Sequence, residues 1–214
     1  TALIGAACIA FPNAAHSADI VITGATPATQ NLGAGDTLTV NVGGTASGNP
    51  GVLVDGVTAT SITNSGTISD GGGSTAIFVD NGANISGGIT NSGGITIVGG
   101  NNIRVDDSSD ISGGITNSGN MTGGWVGIFV QDTSDISGLI NNSGTISGNT
   151  SGIIIDDNSD ISGGITNSGS IIGSTTFGFG IQVNDTSDIS GGINNSGTIS
   201  AGNSAITVFD GSDI

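Results

Sequence analysis

The chain has 214 residues, 41 of them Gly and only 3 Pro, and a net charge of -16 in which every one of the 17 acidic residues is Asp and Arg104 is the sole strong base. That charge repels a phosphate backbone and excludes nucleic acid as a partner, while abundant Gly with little Pro excludes collagen and Pro-rich linkers. Ile and Val at fixed intervals supply enough apolar surface to offset chain entropy, so the chain reads as folded.

Residues 1–18, TALIGAACIAFPNAAHSA, read as the rear part of a secretory signal: an apolar run, a Pro, then small residues before Asp19. The run is too short to span a bilayer; the alternative is a buried N-terminal strand. Cys8 lies inside this segment, so a processed protein forms no disulfide. Gly5, Ala6 and Ala7 before it faintly resemble a lipoprotein cleavage box, although Gly5 stands where an aliphatic residue is usual. Residues 19–50 form a looser region, with strands expected near 20–22 and 38–42, which fits a degenerate N-terminal cap coil.

From Gly51 to Ile214 a repeat takes over. Its first strand carries two apolar residues flanking a variable one: Val52/Val54, Ile77/Val79, Ile103/Val105, Ile128/Val130, Ile153/Ile155, Ile181/Val183 and Ile206/Val208. The starts differ by 25, 26, 25, 25, 28 and 25 residues. A second apolar row runs from Ile62 to Ile193, a third from Ile68 to Ile199, and five units add Ile85, Ile111, Ile136, Ile161 and Ile189. Short β-branched clusters bounded by Gly, Asn, Ser and Asp predict an all-β fold: a right-handed parallel β-helix, or β-solenoid, of about 25 residues and three short strands per coil. Each coil aims its Ile and Val inward and pairs its backbone with the coils above and below.

The step Asn-Ser-Gly recurs at Asn64, Asn91, Asn117, Asn142, Asn167 and Asn195. Asn tolerates left-handed backbone and Gly permits positive φ, so the step suits a tight corner, and stacking would line the amides into a structural ladder.

Units such as VDDSSDISGGITNSGNM and IDDNSDISGGITNSGSI, behind a signal-like segment, resemble the passenger repeats of bacterial autotransporters. The likeness covers residues 51–214 and implies a β-helix exported to the bacterial surface, attached to the outer membrane through a C-terminal β-barrel. No barrel is present in the sequence, which stops within a unit at Ile214, so the expected barrel belongs to a missing C-terminus.

Three features are candidates for chemistry. Asp106, Asp107 and Asp110, and again Asp156, Asp157 and Asp160, cluster after the first strand, as either a solvated acidic turn or a Ca²⁺ site built from oxygen ligands. The calcium-binding nonapeptide is absent, and no other cofactor is expected. Trp125, and Phe177 and Phe179 in the three-residue-longer loop STTFGFG at 174–180, lie on one edge two coils apart, as either a recognition patch or a cover for the solenoid's own side. The middle residues of the first strand, Leu53, Phe78, Arg104, Phe129, Ile154, Gln182 and Thr207, face outward by alternation in no selective pattern.

Catalysis is not expected. The Asp residues repeat evenly, the single His lies in the signal-like segment, and there is neither a G-x-S-x-G elbow nor a Cys/His pair. The expected function is a non-enzymatic adhesin or stalk whose ligand, on a host, a cell surface or a matrix, is unknown. A structural surface-layer component is the alternative, and a carbohydrate-active β-helix enzyme a more distant one.

Overall fold

A computed structural model describes residues 17–214. The signal-like segment up to residue 16, with Cys8, lies outside the described residues. The described residues are all strand and turn, wound into a parallel β-solenoid of about seven turns with three strands per coil. No described helix is long and apolar enough to cross a membrane.

Three eight-stranded parallel sheets run the length of the solenoid. The first contains Val52–Asp55, Thr75–Asp80, Asn101–Val105, Val126–Val130, Ser151–Ile155, Phe179–Val183 and Ser204–Val208, preceded by Gln30–Leu32. The second contains strands such as Ser61–Asn64, Ile115–Asn117 and Ile165–Asn167, and the third strands such as Thr67–Ser69, Asn120–Gly123 and Ser170–Ile172. Register follows the repeat: Ile103 faces Ile77 on one side and Ile128 on the other, and Ile153 faces Ile181 across the 28-residue unit. The three extra residues of that unit are therefore absorbed by its loop rather than by a slip of the strands.

The inward rows form one continuous core. Ile62, Ile68, Ile77, Ile103, Ile115, Ile128, Ile140 and Ile153 are fully buried, as are Ile85, Ile111, Ile136, Ile161 and Ile189. Each such side chain contributes about 1.5 to 3 kcal/mol on burial, largely offset by the entropy of ordering the chain. The rows open toward the last coil, where Ile193 and Ile199 are partly buried and Ile206 and Val208 are each 39% exposed. The outward residues Leu53, Phe78, Arg104, Phe129, Ile154, Gln182 and Thr207 are half-buried, and the Arg104 guanidinium lies over the Phe78 ring, 5.4 Å from its centroid.

Residues 19–50 wind on the same axis with shorter coils. Asp19–Ile22 pairs with Thr37–Val40, Ala25–Thr26 with Thr45–Ala46, and Gln30–Leu32 with the first repeat strand. The partners are 18, 20 and 22 residues apart, so coil length grows until it reaches the regular repeat.

Stacked ladders and an exposed edge as the candidate functional site

At the corner between the second and third sheets, each Asn side chain donates from Nδ2 to the Oδ1 of the next coil's Asn. The links Asn64 to Asn91, Asn91 to Asn117, Asn117 to Asn142, Asn142 to Asn167 and Asn167 to Asn195 all measure 2.7 Å. The first five residues are fully buried. A backbone carbonyl takes the second hydrogen of each amide, such as Gly119 O and Thr145 O around Asn117. A buried column of amides satisfied on both sides is stable, and polarisation along it strengthens each link.

The reason for Gly in the same step differs from the expected one. Neither the Asn nor the Gly of Asn-Ser-Gly is left-handed. Space is the constraint: a Cβ on Gly93, Gly119, Gly144, Gly169 or Gly197 would fall 2.0 to 2.2 Å from the carbonyl oxygen of the equivalent Gly one coil back. Positive φ belongs to other glycines, such as Gly88, Gly114, Gly164 and Gly192 in the Ser-Gly-Gly step.

At the corner between the first and second sheets the carboxylates divide into three roles. Asp107, Asp132, Asp157, Asp185 and Asp210 occupy left-handed backbone, each followed by a second left-handed residue, Ser108, Thr133, Asn158, Thr186 or Gly211. Asp tolerates this region because its short side chain bonds locally. The stack holds the second residue there: Ser108 N donates to Asp132 O (3.0 Å), Thr133 N to Asp157 O (3.0 Å) and Asn158 N to Asp185 O (2.9 Å).

Asp110, Asp135, Asp160, Asp188 and Asp213 instead form a ladder of bridges through the stack. Their carboxylates accept backbone N–H groups from the following coil: Asp160 N donates to Asp135 Oδ1 (3.0 Å), Asp188 N to Asp160 (2.8 Å) and Asp213 N to Asp188 (2.8 Å). Asp110 accepts Ser137 N and Oγ. Beside this ladder runs a serine column that sequence reasoning missed. Ser109, Ser134, Ser159 and Ser187 are buried, and each Oγ accepts a backbone N–H from the coil before: Ala83, Ser109, Ser134 and Ser159 in turn, with Ser212 taking Ser187. The signal was present in the sequence, where a Ser stands immediately before each of the ladder residues Asp110, Asp135, Asp160, Asp188 and Asp213.

The third role falls to Asp106 and Asp156, at the strand ends. Carboxylate oxygens of Asp106, Asp107 and Asp132 lie within 4.8 Å of one another, as do those of Asp156, Asp157 and Asp185. The acidic groups are thus completed by Asp132 and Asp185 from the next coil, while Asp110 and Asp160 stand apart on the bridge ladder. Such oxygen sets suit a hard divalent cation. At the first group Arg104 already pairs with Asp106, and Gln131 Nε2 donates to both Asp106 (3.0 Å) and Asp132 (2.9 Å).

Burial raises the carboxyls of Asp80, Asp106, Asp135 and Asp156 above the ordinary range. Neighbouring carboxylates add to the rise: Asp107 and Asp55 at Asp80, Asp132 at Asp106, Asp160 and Asp110 at Asp135, Asp157 and Asp185 at Asp156. Each binds its proton more tightly in the folded chain, so its stabilising contribution is complete below about pH 4 and is lost as pH rises through the folded value. Asp36 runs the other way, lowered by the backbone N–H groups of Ala18 and Gly33. With four groups against one, the thermal midpoint is expected to fall as pH is raised from about 4.5 to 7 at fixed ionic strength. A midpoint that climbs over this window would contradict the assignment.

The aromatic residues separate into two kinds. Trp125 is 64% exposed and Phe177 82% exposed, whereas Phe179 is half-buried and packs edge to face on Phe209, with ring centroids 6.1 Å apart and planes at 88°. Val98, 90% exposed, adds an apolar residue on the same edge one coil before Trp125. No protein-family model, no curated protein and no solved structure matches this chain.

Proposed function

We propose that this chain is the repetitive part of an exported bacterial surface protein of the autotransporter-passenger type, acting as an adhesin or stalk without catalysis. The reading rests on one contrast. The repeated polar residues are consumed in bonds between coils, while Val98, Trp125 and Phe177, the most exposed large apolar residues of the repeat region, stand on the edge between the third and first sheets, Phe177 in the lengthened loop. A long solenoid held by its own ladders gives reach, and solvent-facing aromatics on one edge give it something to attach with. No reaction is assigned to this segment, because its carboxylates recur from coil to coil in structural roles.

The uninterrupted stacking favours a second reading, a surface-layer or matrix component that only extends. Attachment assays on strains with and without the gene separate the two. The adhesin reading expects the strain carrying it to bind host cells or matrix-coated plates at least tenfold better; equal attachment would leave only the structural role.

A further inference from the structure

We propose that the edge between the third and first sheets binds a neutral, extended, β-linked polysaccharide, with Trp125 and Phe177 as stacking platforms. This rests on the adhesion reading above and gives it a ligand class. The order along the edge is fixed by backbone bonds: Trp125 N donates to Gly100 O (2.5 Å), Thr150 N to Trp125 O (2.8 Å) and Ser174 N to Thr150 O (3.1 Å). Trp125 and the loop bearing Phe177 are therefore two coil spacings apart, about 10 Å. That matches the distance between alternate rings of an extended glycan, so one chain laid along the solenoid axis can place a sugar on each aromatic face.

The ground beside the Phe177 loop suits the same ligand. A surface depression of about 320 Å³ lies there, bounded in part by Ser147, Asn149, Ser174 and Thr175. Hydroxyl and amide groups can exchange hydrogen bonds with sugar hydroxyls, while aromatic faces cover the apolar C–H face of a pyranose. Charge selects among glycans. The corners at 98–100, 124–125, 148–150, 173–178 and 201–203 contain no charged residue, the corner before them carries Asp70, and the chain carries -16 overall. A neutral chain feels no net repulsion from this charge, whereas an anionic one is repelled by 17 carboxylates that a single Arg cannot offset.

Trp125 is the only Trp in the chain, so its emission reports on the site directly. The protein is titrated with cellohexaose, xylohexaose and mannohexaose, and with polygalacturonate as the anionic comparison. At least one neutral hexaose is expected to give a saturable blue shift, Phe177→Ala to weaken it about tenfold, and Trp125→Ala to abolish the binding heat with the melting temperature unchanged. Flat titrations with all three neutral sugars, or equal binding of polygalacturonate, would overturn the proposal. Attachment of cells through Trp125 and Phe177 alongside flat titrations would sink the glycan and keep adhesion; sugar binding without attachment would do the reverse.

Discussion

Replacing Asn117 by Leu is expected to destabilise the solenoid by about 2 to 6 kcal/mol, measured by chemical denaturation. Asn117 is fully buried, donates to Asn142 Oδ1 (2.7 Å) and accepts from Asn91 Nδ2 (2.7 Å). Leu removes both links at once, leaving one buried donor and one buried acceptor without their ladder partner, and each orphan costs about 1 to 3 kcal/mol. A small loss near the chain end is expected from Asn195→Leu, because Asn195 is exposed and receives only one ladder bond. Equal effects at the two positions would mean that the amides act singly rather than as a column.

The second large effect is expected at the neighbouring glycines. Gly144→Ala puts a methyl 2.0 Å from Gly119 O, in backbone that cannot move without displacing the coil below. The loss is about 3 kcal/mol, the upper range for overpacking a close contact. Gly24→Ala is the matched control: a Cβ there meets nothing within 4 Å and its φ is not positive. It should change stability by no more than about 0.5 kcal/mol. If Gly144→Ala were as mild as Gly24→Ala, close coil stacking would not be what selects Gly at this corner.

These two residues also mark how far the sequence could be read. The rows headed by Val52, Ile62 and Ile68 were legible because an inward side chain must recur at the coil period, and the strand register follows that period residue by residue. The purpose of Gly144 was not legible, since a glycine needed for space and a glycine needed for positive φ look identical until the coil below is in place. Ser134 was passed over for a similar reason. Ser is common in turns, and only stacking reveals that its hydroxyl is buried against the N–H of Ser109.

The acidic groups required three dimensions for their membership. Asp106, Asp107 and Asp110 are neighbours in sequence, but a left-handed pair at Asp107 and Ser108 turns the chain between them. Asp110 then joins the bridge ladder, between Asn84 on one side and Asp135 on the other, while Asp132 arrives beside Asp106 from one coil further on. Proximity in the chain groups Phe179 with Phe177. Its partner, Phe209, comes from the following coil, and the pairing separates Phe179 from the exposed edge.

Repeated ladders should carry the stability of this solenoid, and the exposed aromatics of one edge its recognition. The most direct test is a side-by-side measurement on the double variant Trp125→Ala/Phe177→Ala: retention on the target surface and thermal midpoint. The predicted result is loss of retention with the midpoint within about 2 °C of the parent, as for substitutions of exposed side chains outside the core. Retention that persists, or a midpoint that falls with it, would contradict that division.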